Sequence, residues 1–178
     1  NLRRKLQELT NINVSMEPKV VRLDDFDDMV RNPFVFMTAS GMFKLPENEE
    51  KNMREFLERG GFIFADDCHD ESRPGNQDRF FRTYVELINR LFPDNQMRKI
   101  PFDHELFHIY YDFEKGAPHF QGVPHGAHGL FEPGTGRLMT IATPGDEHCA
   151  WCMQGWYSEN DLEGIKFGVN VIVYFLSH

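Results

Sequence analysis

Residues 34–67 read FVFMTASGMFKLPENEEKNMREFLERGGFIFADD. Two short apolar runs, 34–38 and 61–67, bracket a charged segment whose apolar residues recur at helical spacing. A continuous apolar run between turn signals is the mark of a strand covered on both faces. Between the runs, Met53, Phe56 and Leu57 fall on one helical face. Pro46 suits the first turn of that helix, and Glu47, Glu49 and Glu50 complement the positive end of its dipole. Arg59 sits near the negative end, and Gly60 can take the left-handed cap. Strand, helix and strand in this order predict a parallel sheet with helices on both faces. Ligands of such sheets bind beyond the carboxyl ends of the strands. Thr38, Ala39 and Ser40 follow one strand here, and Asp66, Asp67, Cys68 and His69 end the next.

Outward from this unit, Leu2, Leu6 and Leu9 form an opening helical stripe, and KVVRL (19–23) reads as a further strand. Residues 75–94 read as a helix with Asn76 at its N-cap. Its stripe is Phe81, Tyr84, Val85, Ile88 and Leu91, and Pro93 ends it. AHGLFEPGTGRLMTIAT (127–143) has the form of a β-hairpin turning at 133–136. In the tail, Ile165, Val169, Ile172 and Leu176 recur at helical spacing. The expected organisation is a single α/β domain over residues 1–178. The chain opens in helical pattern without an initiator methionine, which suggests the C-terminal part of a longer, processed chain.

The 178 residues carry a net charge of −9 and a pI near 5.3. This balance argues against nucleic-acid or anionic-membrane surfaces, which need clustered Lys and Arg. The longest nearly apolar run, FGVNVIVYFL, is half of the ~20 residues that span a bilayer, so no membrane span is expected. Three cysteines do not make a disulfide scaffold.

Several motifs carry potential chemistry. His104-Glu105-Leu106-Phe107-His108 spells H-E-x-x-H, which on a helix holds zinc between two histidines with the glutamate as general base. Pro101 and Asp103 place it at an element start, not within a long helix, and Glu132 is only a loose third ligand. Cys68 follows a buried strand, with His69 as a neighbouring base, but lacks the glycines of a nucleophile elbow. Asp66, Asp67 and Asp70 oppose its thiolate. Asp66 and Asp67 offer oxygens to Mg²⁺ or Ca²⁺, or else one caps the next turn and the other is solvated. His104, His108, His119, His125 and His128 crowd a Gly- and Pro-rich segment, and read best as scattered surface histidines. Cys149-x-x-Cys152 lacks both a redox-helix context and a second pair for a zinc knuckle.

The stretch 34–67, IPFDHELFHIYYDF (100–113), HGLFEPGTGRLMTIAT (128–143) and FGVNVIVYFLSH (167–178) together resemble a bacterial family known as domain of unknown function 4159. The resemblance implies a class I glutamine-amidotransferase-like, flavodoxin-like fold and an exported, periplasmic protein. It also implies proline where Glu105 stands, which is no place for a general base. GDEHCAWCMQGW (145–156) does not fit the pattern and reads as an insert. The expected function is a non-catalytic or catalytically degenerate domain that binds a polar small molecule or a protein partner. The expected ligand residues are Thr38, Ser40, Asp66, Asp67 and His104, with no cofactor and no metal. The alternatives are a metal-dependent hydrolase using His104, Glu105 and His108, and a cysteine amidase using Cys68.

Overall fold

The computed structural model describes residues 2–69, 77–152 and 159–178. Helices α1 (Leu2–Leu9) and α2 (Phe26–Arg31) lead into β1 (Phe34–Ala39), α3 (Glu47–Glu58), β2 (Phe62–Asp67) and α4 (Arg79–Leu91). Then come β3 (Arg98–Lys99), a 3-10 turn (Glu105–Phe107), β4 (His128–Phe131), β5 (Leu138–Thr143), α5 (Cys149–Cys152) and α6 (Glu159–Ser177). The sheet order is β1-β2-β5-β4-β3. Strands β1, β2 and β5 are parallel, and β4 runs against both β5 and β3. The architecture is therefore mixed α/β, with an open, mostly parallel sheet. The antiparallel β4–β5 pair falls where the sequence places a hairpin, but it is not C-terminal, because α5 and α6 follow it.

Alternation along the apolar runs builds two cores. Register pairs Phe34 with Phe62 and Phe36 with Phe64, and the ring centroids of these pairs lie 5.8 and 5.5 Å apart. This aromatic face packs against Phe167, Val171 and Tyr174 of α6. The intervening residues, Ile63 and Ala65, face Met53, Phe56 and Leu57 of α3 and Phe80, Tyr84 and Ile88 of α4. Strand β2 is buried along its whole length, as a doubly covered strand must be.

Helix α3 ends as its sequence dictates. Gly60 has φ +94; its N–H donates to Leu57 O, and the Gly61 N–H donates to Phe56 O at 2.9 Å. These are the two bonds of a Schellman cap. At the other end Pro46 is the N-cap, not a first-turn residue.

Three further local expectations change in the fold. KVVRL forms no strand, because Asp28 of α2 captures it instead: its carboxylate accepts Lys19 Nζ at 2.6 Å and the Arg22 N–H at 3.3 Å. Val20 is left 86% exposed. The N-cap position of α4 is Asp78, while Asn76 lies outside the described residues. The buried face of α6 is broader than the expected stripe and partly turned from it: Ile165 and Val169 are buried as expected, Leu176 is 57% exposed, and Gly164, Phe167, Val171 and Tyr174 are buried as well. The aromatic sheet face selects these residues, and the Leu138 N–H donates to Tyr174 Oη at 3.0 Å. H-E-x-x-H occupies a single 3-10 turn, an element start and not a long helix, as Pro101 and Asp103 indicate.

Candidate functional site at the carboxyl edge of the sheet

Strands β1, β2 and β5 all end on one edge, where register sets Thr38 beside Asp66 and Asp66 beside Thr143. The chain leaving β5, Pro144-Gly145-Asp146-Glu147-His148, turns back over that edge. Asp66 accepts Thr143 Oγ1 at 2.6 Å, the His148 backbone N–H at 2.8 Å and His148 Nδ1 at 2.7 Å. Asp146 reciprocates from the other strand: its Oδ2 accepts the His69 backbone N–H at 3.1 Å and the Gln121 side-chain amide. It does so with φ +57, the one positive φ of a non-glycine among the described residues. Aspartate tolerates that conformation better than most residues. The two strand ends are thus braced to each other through carboxylates.

Asp67 points to the opposite face and accepts the Phe81 N–H at 2.7 Å, an anion seated on the first turn of α4. Asp78, although at the N-cap position, makes no capping bond and holds Arg82 and His125 instead, each at 2.7 Å.

The electrostatics of this edge are lopsided. Asp66, Asp67, Asp146 and Glu147 are each no more than 1% exposed. Among the described residues their only ion pairs are to His148, at 2.7 Å from Asp66 and 3.2 Å from Asp146. Asp67 Oδ1, Asp146 Oδ1 and both Glu147 oxygens are buried with no hydrogen-bond partner among the described residues. Burial pushes the Asp67 carboxyl up to about 6, and Glu147 stands well above the ordinary range through burial and the neighbouring Asp66 and Asp146 charges. Burial opposes charge on His148, yet the Asp66 and Asp146 carboxylates hold its pKa above the usual histidine value. Cys68 Sγ, a carboxylate oxygen of Asp146 and a ring nitrogen of His148 lie within 4.8 Å of one another.

Beside this cluster lies a cavity of about 620 Å³, walled by Pro118, His119, Gly145, Glu147, Lys99 and Glu163 among others. A Cβ on Gly145 would stand 2.7 Å from Glu147 Oε1 and 3.1 Å from His119 Nδ1, so glycine makes room for both side chains. The irregular chain on the far wall is pinned to α6 by Asn170. Its amide donates to Leu106 O and Tyr111 O at 2.9 and 2.8 Å, and its oxygen accepts the Tyr111 N–H at 2.9 Å.

Of the expected ligand residues, Thr38, Ser40, Asp66 and Asp67 gather at this edge, with Thr38 exposed and both aspartates buried. His104 does not join them. Its ring packs on Phe131 and Tyr174 at 5.6 and 5.7 Å. Phe131 pairs with Leu138, at the start of β5, so His104 stands at the opposite end of the sheet. Strand direction alone does not predict the difference: β3 runs parallel to β5 and ends with Lys99 level with His128 and Ala142, near the carboxyl edge, and the chain after it doubles back to set His104 on Phe131 and Tyr174. His104 Nδ1 accepts the Leu106 N–H at 3.1 Å, and both His108 nitrogens engage Phe102 O and Asp112. Glu132 and Glu105 share a shallow pocket with His104, but His108 is not part of it. His125 and His128 each have partners of their own, Asp78 Oδ2 and Gly126 O. The imidazole braced by Asp66 and grouped with Cys68 is His148, not His69. Asp70 lies outside the described residues, and so does any pairing of Cys149 with Cys152.

Residues 1–176 match the family described as Domain of unknown function (DUF4159). The chain belongs to that family. No curated protein matches it. The segment 145–156, which reads as an insert in the sequence, lies inside the matched span and supplies Asp146, Glu147 and His148. The signal that finds them is the strand-end rule applied to β5 as well as to β1 and β2: LMTIAT is an apolar run, and DEHC follows it after one turn.

Proposed function

We propose that this chain is a ligand-binding domain with an amidotransferase-like, flavodoxin-like fold, non-catalytic or catalytically degenerate. Its ligand is a small polar molecule carrying a cationic amine or amide N–H donors. The observation that carries this reading is Glu147, a residue of the cavity wall whose fully buried carboxyl has neither oxygen partnered among the described residues. An unpartnered buried carboxyl is costly, and a bound donor removes that cost. Concavity favours a small molecule over a protein partner. The test is a thermal-shift screen of amines, amino acids and amides against the protein and Glu147→Gln. A ligand at a hundred times its dissociation constant stabilises by about 2.7 kcal/mol. That gain should be lost in the variant; ligands that bind Glu147→Gln equally well would sink the assignment.

One observation favours a second reading, the cysteine amidase: Cys68 lies near an imidazole that a buried aspartate orients. That arrangement has the parts of a nucleophile, base and orienting acid. This reading requires rapid alkylation of Cys68 at neutral pH in metal-free protein, together with ammonia release from an amide substrate. Slow alkylation would remove it.

A further inference from the structure

We propose that Cys68, Asp146 and His148 form a site for a divalent transition metal of the zinc class, with Asp66 as the residue that positions His148. The inference is separate from the cavity reading, since it rests on different atoms of the same sheet edge.

Three observations converge. Sulfur, carboxylate oxygen and imidazole nitrogen from the ends of two adjacent parallel strands lie within 4.8 Å of one another. A tetrahedral ion with bonds of about 2.0–2.3 Å draws its ligands to roughly 3.3–3.8 Å apart, so modest side-chain adjustments close the triangle. This mixed donor set suits zinc and related ions better than Mg²⁺ or Ca²⁺, which take oxygen. Second, Asp146 is fully buried, and its Oδ1 lacks a hydrogen-bond partner among the described residues. It stands 3.2 Å from His148 Nδ1 without the geometry of a hydrogen bond, and Asp66 holds that same nitrogen, which leaves Nε2 for the ion. Third, the Asp66 carboxylate on His148 Nδ1 is the arrangement that fixes ring orientation in metal-bound histidines.

Charge points the same way. Two buried carboxylates, Asp66 and Asp146, share one imidazole, and a dication offsets the excess that burial otherwise makes expensive. Three protein ligands leave a coordination position open to water or another small molecule.

The experiment uses tag-free protein stripped with a chelator, then titrated with Zn²⁺ and, separately, Co²⁺. The expected result is one ion per chain, with a thiolate-to-cobalt charge-transfer band in the near ultraviolet. The band should vanish in Cys68→Ser and persist in Cys149→Ser and Cys152→Ser. Asp66→Asn should keep the band but weaken zinc affinity by about 10–100-fold, as loss of an orienting partner does elsewhere. Zinc should also slow alkylation of Cys68 in the unmutated protein, a readout that no folding defect of a variant can mimic. Absence of stoichiometric binding overturns the proposal. So does a band that follows Cys149 instead of Cys68, or alkylation of Cys68 that zinc leaves unchanged. Loss of amine binding in Glu147→Gln with zinc binding intact would separate the two sites.

Discussion

His104 illustrates how one side chain's partners set its chemistry. It caps the 3-10 turn by accepting the Leu106 N–H on Nδ1, a role open only to the neutral ring. Burial lowers its pKa below the ordinary 6.5, with His178 adding to the shift and Glu105 and Asp103 opposing it. A base whose folded pKa is depressed contributes stability that is complete above its unfolded pKa and is lost as pH falls through the folded value. The protein should therefore lose stability between pH 7.5 and 5 by more than His104→Asn does, since asparagine caps without titrating. Denaturant midpoints at several pH values check this. Identical pH slopes for the two proteins would show that His104 does not titrate as argued.

At the scale of elements, the α3–β2 junction depends on one glycine. Gly60 adopts φ +94, and no atom approaches its missing Cβ within 4 Å, so the penalty for alanine there is conformational alone. Gly60→Ala should cost about 1 kcal/mol and lower Tm by roughly 2–4 °C in a domain of this size. Calorimetry reads both, and an unchanged Tm would mean that the cap relaxes without loss. Gly61 is a different case, because a Cβ there would meet the Phe56 ring at 2.5 Å. Helix α4 shows the limit of local rules. Its capping acceptor is Asp67, fourteen residues from Phe81, and no capping box within the helix's own sequence could name it.

Across the whole molecule, the irregular chain that walls the cavity is held to α6 through Asn170. Asn170→Ala would leave three backbone groups unpaired and should destabilise the fold by about 1–3 kcal/mol. Amide exchange should quicken in the segment around 106–119 while β2 remains protected; unaltered exchange there would show that other contacts fix the wall. The parallel β1–β2 unit was legible from the apolar runs 34–38 and 61–67 and the helix between them, because hydrophobic period and caps are local properties. The same residues indicate that Thr38 and Asp66 end on one edge, since parallel strands share an end. Tertiary structure alone decided that the DEHC segment after β5 folds over that edge, that His148 and not His69 meets Asp66, and that His104 is left at the far end. It also decided that KVVRL pairs with Asp28 instead of a strand. The reason is physical: periodicity and turn chemistry act within a few residues, whereas strand order, which sets β5 beside β2, is fixed by packing between segments some 75 residues apart.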